Sequence, residues 1–120
     1  MRRFLQGLLV AGASSLVAGT VGCKPLPPST PLANLNPQQV HGHQVFQARC
    51  AACHYDRRNG GLHGPSLKGV FKMDYLSSGS PANDERVVST IQRGYGMMPG
   101  FGNRINGDDM DDLLAYLHSL

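Results

Sequence analysis

Apolar residues run along this chain in several different rhythms, and each rhythm predicts a different element. From Phe4 to Gly22 they are nearly continuous behind Met1-Arg2-Arg3, the pattern of an export signal over residues 1–22. Four glycines and Ser14-Ser15 make that stretch a poor spanning helix, so a retained N-terminal anchor is the lesser alternative. Val40, Phe46 and Cys50 recur at helical spacing behind Pro37, which suits a first-turn position, and predict a helix from Pro37 to about Cys53. Val87, Val88 and Ile91 predict a second helix over 84–94, capped by Asn83 or Asp84 and stopped by Gly94. Met110, Leu113, Leu114 and Leu117, with Tyr116 beside them, predict a third over 107–119. Asn106 is its expected N-cap, and Asp108, Asp109, Asp111 and Asp112 crowd the positive end of its dipole as a solvated helix start. No strand-helix-strand alternation occurs, so the predicted class is all-α.

The segments between these elements differ in kind. Residues 24–37 hold five of the eight prolines and predict an extended spacer, a tether over 23–36 reaching roughly 40 Å at about 3.1 Å per residue. The folded unit is then expected over 37–120. Residues 55–83 are rich in Gly, Ser and Pro, and an irregular loop that long in a compact domain is usually functional. The formal charge of +3 falls to +1 without residues 1–22, because Arg2 and Arg3 leave nine bases against eight acids. No basic run is interleaved with aromatics, so no nucleic-acid partner is expected.

Three cysteines in an exported chain need an account. Thr20-Val21-Gly22-Cys23 resembles a bacterial lipoprotein cleavage box, which implies lipidation of Cys23 and attachment to a membrane. Cys50 and Cys53 remain, in Cys50-Ala51-Ala52-Cys53-His54, the pattern for covalent attachment of c-type haem. Residues three and four apart share one helix face, so both sulfurs and the imidazole would point the same way. A thioredoxin-type pair would want a strand-to-helix junction, and a zinc site would want a second ligand pair better than His41 and His43.

With Gly42-x-x-x-Phe46-x-x-x-Cys50 before this motif, Gly64-Pro65-Ser66-Leu67 after it and Gly96-Met97-Met98-Pro99-Gly100-Phe101 further on, residues 40–120 resemble the class I cytochromes c. The resemblance implies their fold: three main helices, the first and last crossing at Gly42 against Tyr116 and Leu117, and a long loop wrapped around one covalently bound haem. It implies thioether bonds at Cys50 and Cys53, His54 as proximal iron ligand with Pro65 accepting from its other nitrogen, and Met98 as distal ligand. Met97 should point elsewhere, since successive side chains alternate in an extended loop. Leu67, Val70, Phe71, Tyr75 and Leu76 are the expected apolar lining. His41, His43, His63 and His118 are read as structural, with His63 in reserve as sixth ligand, and Met73 and Met110 as packing residues.

The function this resemblance implies is electron transfer by an iron cycling Fe(III)/Fe(II), without catalysis. The expected setting is a monomer tethered on the periplasmic side of a membrane, serving a dehydrogenase, an oxidase or another cytochrome. Arg49, Arg57, Arg58, Lys68 and Lys72 are candidates for steering an acidic redox partner. The alternative is a haem enzyme or a gas or peroxide sensor with a displaceable Met98, for which no distal acid or base is evident.

Overall fold

The computed structural model describes residues 22, 23 and 25–120. The expected export signal lies, apart from Gly22, outside the described residues. Among the described residues there are three α-helices and no strand: α1 (Pro37–Arg49), α2 (Asp84–Arg93) and α3 (Gly107–Leu117). No helix among them is long and apolar enough to cross a membrane.

Local chemistry sets the helix starts. Asn36 and Gln39 form a reciprocal capping box, each side chain accepting from the other's backbone N–H at 2.9 and 3.1 Å, with Pro37 in the first turn. Asn83 accepts from the Arg86 N–H at 3.0 Å and Asn106 from the Asp109 N–H at 2.8 Å. Each cap satisfies a donor that the first turn leaves without a helical partner. Gly94 ends α2 at φ 81°, a backbone region that glycine enters freely.

α1 stops earlier than its periodicity predicts. The Cys50 and Ala51 N–H groups both turn onto the Phe46 carbonyl, at 2.8 and 3.0 Å, and this shared acceptor unwinds the helix after Arg49. The Cys53 and His54 N–H groups then share the Cys50 carbonyl, at 3.0 and 2.9 Å. The Cys-x-x-Cys-His segment is therefore a separate turn, free to lean away from the α1 axis.

α1 and α3 cross at Gly42. A Cβ there would lie 1.8 Å from the Asp112 carbonyl oxygen and 2.9 Å from the Tyr116 Cβ, so only glycine permits the approach. The neighbours are thus Asp112 and Tyr116, one helical turn apart, where Tyr116 and Leu117 are expected from the sequence. Phe46 and Tyr116 pack ring against ring at 5.8 Å, and both are essentially inaccessible. Such a pair contributes about 1 kcal/mol beyond its buried area.

The proline-rich segment does not stand off as a spacer over its whole length. Leu26 lies against Gly69, and the Lys72 ammonium donates to the Pro27 and Pro28 carbonyls at 3.2 and 3.1 Å. The Thr30 N–H donates to the Ser119 carbonyl at 2.7 Å, and Leu35 packs on the core. This strap covers the C-terminal end, where Leu120 is buried. Proline-rich backbone keeps its carbonyls free, and here a lysine and an arginine use them.

Candidate functional site

α2, α3, the turn after α1 and the long loop enclose a cavity of about 420 Å³. The apolar stripes of α2 (Val87, Ile91) and α3 (Leu113, Leu117) form part of its wall. They read in sequence as core stripes and serve both purposes, because a helix face directed inward does not distinguish a side chain from a cofactor as its neighbour.

On one side stand Cys50, Cys53 and His54. Cys50 is half-buried and Cys53 exposed. Burial, with a smaller contribution from neighbouring Cys53, pushes the Cys50 thiol up to about 11, so it stays protonated near neutral pH. The His54 ring is held on two sides. Its Nδ1–H donates to the Pro65 carbonyl at 2.7 Å, which leaves Nε2 as the free lone pair. A Cβ at Gly64 would lie 2.5 Å from His54 Cε1, so Gly64 is the space into which the ring is set. Two backbone bonds brace the loop, Gly64 N–H to Cys53 at 2.8 Å and Leu67 N–H to Tyr55 at 2.8 Å.

Directly after His54 the chain is tied to the helix crossing. The Tyr116 hydroxyl donates to Asp56 Oδ2 at 2.5 Å, and Arg57 donates to the Tyr116 oxygen at 3.2 Å and to the Thr30 carbonyl at 2.6 Å. Burial, then the bond to Asp56, raises the Tyr116 hydroxyl above the ordinary tyrosine range.

Met98 also lines the cavity, on a loop that closes as a two-residue hairpin. Tyr95 and Met98 exchange both backbone bonds, at 3.1 and 2.9 Å, with Gly96 at φ 59°. Met98 is half-buried against the core, whereas Met97 is 94% exposed at the cavity rim. The loop then returns to α2: the Phe101 and Gly102 N–H groups donate to the Ile91 and Gln92 carbonyls at 2.8 and 3.1 Å. Carbonyls that the end of α2 leaves without helical partners thereby hold the methionine loop.

The structure brings Cys50, Cys53, His54, Pro65, Leu67 and Met98 to one cavity, together with Val70 and Leu76. Phe71 and Tyr75, expected in the lining, do not border it. Phe71 is drawn outward by stacking on His118 at 3.8 Å, and His118 in turn bonds Asp84 at 2.7 Å. Tyr75 is 63% exposed, its backbone bridged to Pro81. Met73 and His63, read as packing or structural, line the cavity. Of the five basic residues considered for partner steering, only Arg49 borders the cavity, while Arg57 and Lys72 serve the strap and Arg58 covers the Tyr55 ring at 4.1 Å.

Two thiols three residues apart, a ring nitrogen with its other nitrogen tied back, and a thioether from another loop of the same cavity fit a haem iron with covalent attachment. Residues 37–117 match the family model described as Cytochrome C oxidase, cbb3-type, subunit III. The chain is 39% identical over 78 residues to cytochrome c6 of Synechocystis sp., covering 65% of this chain and 62% of that protein's length. It is 33% identical over 79 residues to cytochrome c6 of Pyropia tenera, covering 66% of this chain and 88% of that one. Its fold is similar to the solved structure of cytochrome c6 from the diatom Phaeodactylum tricornutum, with a TM-score of 0.53 and 27% identity over 67% of this chain and 90% of that one. The chain belongs to the class I monohaem cytochromes c, and its cofactor is one covalent haem c carried on the Cys50–His54 motif.

Proposed function

We propose that this cytochrome is an exported, membrane-tethered electron carrier whose iron is held between His54 and Met98. The haem iron supplies one-electron exchange between Fe(III) and Fe(II). Everything else falls to the chain. Cys50 and Cys53 hold the ring by thioether bonds, so the cofactor stays with the carrier when partners exchange. His54 offers Nε2, and its Nδ1–H bond to Pro65 at 2.7 Å fixes the tautomer and the ring plane. Met98 offers a neutral sulfur from an apolar side, which favours the reduced state and raises the potential. Because His54 and Met98 would together hold the iron, the site would offer a substrate no place on it.

The observation that carries this reading is that, of the two adjacent methionines bordering the cavity with His54, Met98 is half-buried against the core and Met97 is 94% exposed. Oxidised and reduced absorption spectra of the haem-loaded protein, taken with and without CO, test it. The expected result is a weak far-red ferric band that disappears in Met98→Ala and survives in Met97→Ala, with no response of the parent protein to CO. High-spin spectra or ready CO binding in the parent protein would give the lead to an enzyme or sensor.

The tether rests on Cys23, which is exposed and carries the residues of a lipidation box before it. With the strap docked from Leu26 onward, only Lys24 and Pro25 separate that cysteine from the domain. The carrier then works close to the bilayer, with partners at or in that membrane. Mass spectrometry of the mature N-terminus checks this, and an unmodified Cys23 would remove the lipid from the account.

A further inference from the structure

A second cleft, of about 290 Å³, opens beside the first. Ser78 and Ser80 line it from the loop, Arg86, Ser89, Thr90 and Arg93 from α2, and Gly94-Tyr95 from the turn that follows. Ser78, Thr90 and Tyr95 line both spaces, so the cleft continues the cavity. Residues 86, 89, 90 and 93 fall on one stripe of α2, next to the Val87 and Ile91 stripe that faces the cavity. One helix thus gives an apolar face to the cavity and a cationic face to the cleft.

The charges there are unanswered. No carboxylate lines either space. Among the described residues every ion pair within 4.0 Å involves a histidine, and neither arginine takes part in one. Arg93 donates to the Ser89 hydroxyl, and the Thr90 hydroxyl donates to the Arg86 carbonyl at 2.8 Å. The Ser77–Ser80 segment brings no charged group. Beyond the Tyr95 phenol, the other titratable side chains of the joined space are Arg49, His54, His63 and the two cysteines.

Haem supplies what this cleft lacks. Its vinyl groups and its propionates sit on different pyrroles, so attachment through the vinyls at Cys50 and Cys53 directs the carboxylates away from that turn. Outside the cysteine turn and the 63–66 loop, the hydroxyl groups of the cavity are those of Ser77, Ser78, Thr90 and Tyr95. These lead toward the arginines. A carboxylate taken out of water needs a cation and donors to remain ionised, and this is where the fold collects them.

We propose that the Arg86/Arg93 cleft is the carboxylate-binding end of the cavity and takes a propionate of the cofactor. The proposal rests on the haem reading above. The test follows the midpoint potential of the isolated haem-loaded protein against pH, for the parent, Arg86→Ala, Arg93→Ala and Arg93→Lys. Both arginines are exposed where they line the cleft, so helix content should stay at the parent level, and haem content is measured for each variant so that the potential is read per haem. Losing a cation should lower the potential at neutral pH and move the pH at which it begins to fall upward by about one unit. Lysine at 93 should restore most of both effects. An unmoved profile, together with slower and less salt-sensitive electron exchange with an acidic partner protein, would assign the carboxylate to that partner and overturn the proposal. An unmoved profile with unmoved exchange overturns it too. A parent protein without covalent haem would sink this inference and the haem reading together, whereas a normal haem protein with an unmoved profile would sink this one alone.

Discussion

The two walls of the cavity are built on different principles. The His54 wall is fastened by side chains: a ring tied to Pro65, seated against Gly64, and continued by Asp56 and Arg57 into the Tyr116 hydroxyl at the α1–α3 crossing. The hydrogen bonds that fasten the Met98 wall are all backbone ones, in the Tyr95–Met98 hairpin and in two bonds to the end of α2, with Met98 and Phe101 packed against the core. A ring with a directed N–H bond has one orientation, whereas a thioether in an apolar setting has several of similar energy. The attachment wall is therefore rigid by construction, and the methionine wall is only as fixed as its loop.

The difference can be broken first on the rigid side. His54→Ala should abolish low-spin haem and sharply reduce covalent haem yield, read by reduced absorption spectra and by haem staining of denatured protein. Met98→Ala should keep its covalent haem, so equal yields in the two variants would refute the contrast.

Gly94→Ala probes the other wall. Its Cβ would lie 2.5 Å from the Met98 carbonyl oxygen at φ 81°, so the loop must shift. The expected cost is about 2–3 kcal/mol in chemical denaturation, with early loss of the far-red methionine band on heating and the covalent haem unaffected. Gly64→Ala, whose Cβ would meet the His54 ring, should lower holoprotein yield by comparison.

Tyr116→Phe loosens the link from the His54 wall to the helix crossing and should cost about 1–2 kcal/mol, because Asp56 and Arg57 lose a shared partner. Because burial and Asp56 raise the folded-state pKa of this hydroxyl, its contribution is complete below the ordinary tyrosine value of 10.0. It is lost as pH rises beyond that value. The parent protein should lose more stability above pH 10 than the phenylalanine variant, which denaturation at pH 8 and pH 11 would measure.

The smallest effect is expected at the strap. Lys72→Ala removes the bonds to the Pro27 and Pro28 carbonyls, and the Thr30 amide, which donates to Ser119, should exchange with deuterium faster while the Gly64 amide beside His54 stays protected. Equal acceleration at both amides would show that the strap and the His54 wall open as one unit.

What is local or chemical could be read from the residues alone. Caps at Asn36, Asn83 and Asn106 lie within four residues of the groups they satisfy, and apolar spacing on α2 and α3 named the inward faces. The Cys50–His54 motif was legible because covalent attachment demands particular atoms at particular spacings, whereas Met98 was singled out only through the family resemblance. Tertiary structure decided whatever depended on competition between distant partners. α1 ends at Arg49 because the Phe46 carbonyl takes two donors, which no periodicity reveals. Phe71 left the lining because His118, far along the chain, offered a flat ring. The proline-rich segment was drawn against the domain because Lys72, Arg57 and Ser119 converge on its backbone from three separate places. Free carbonyls and an apolar Leu26 look the same in a spacer and in a strap, and only the surface opposite them tells the two apart.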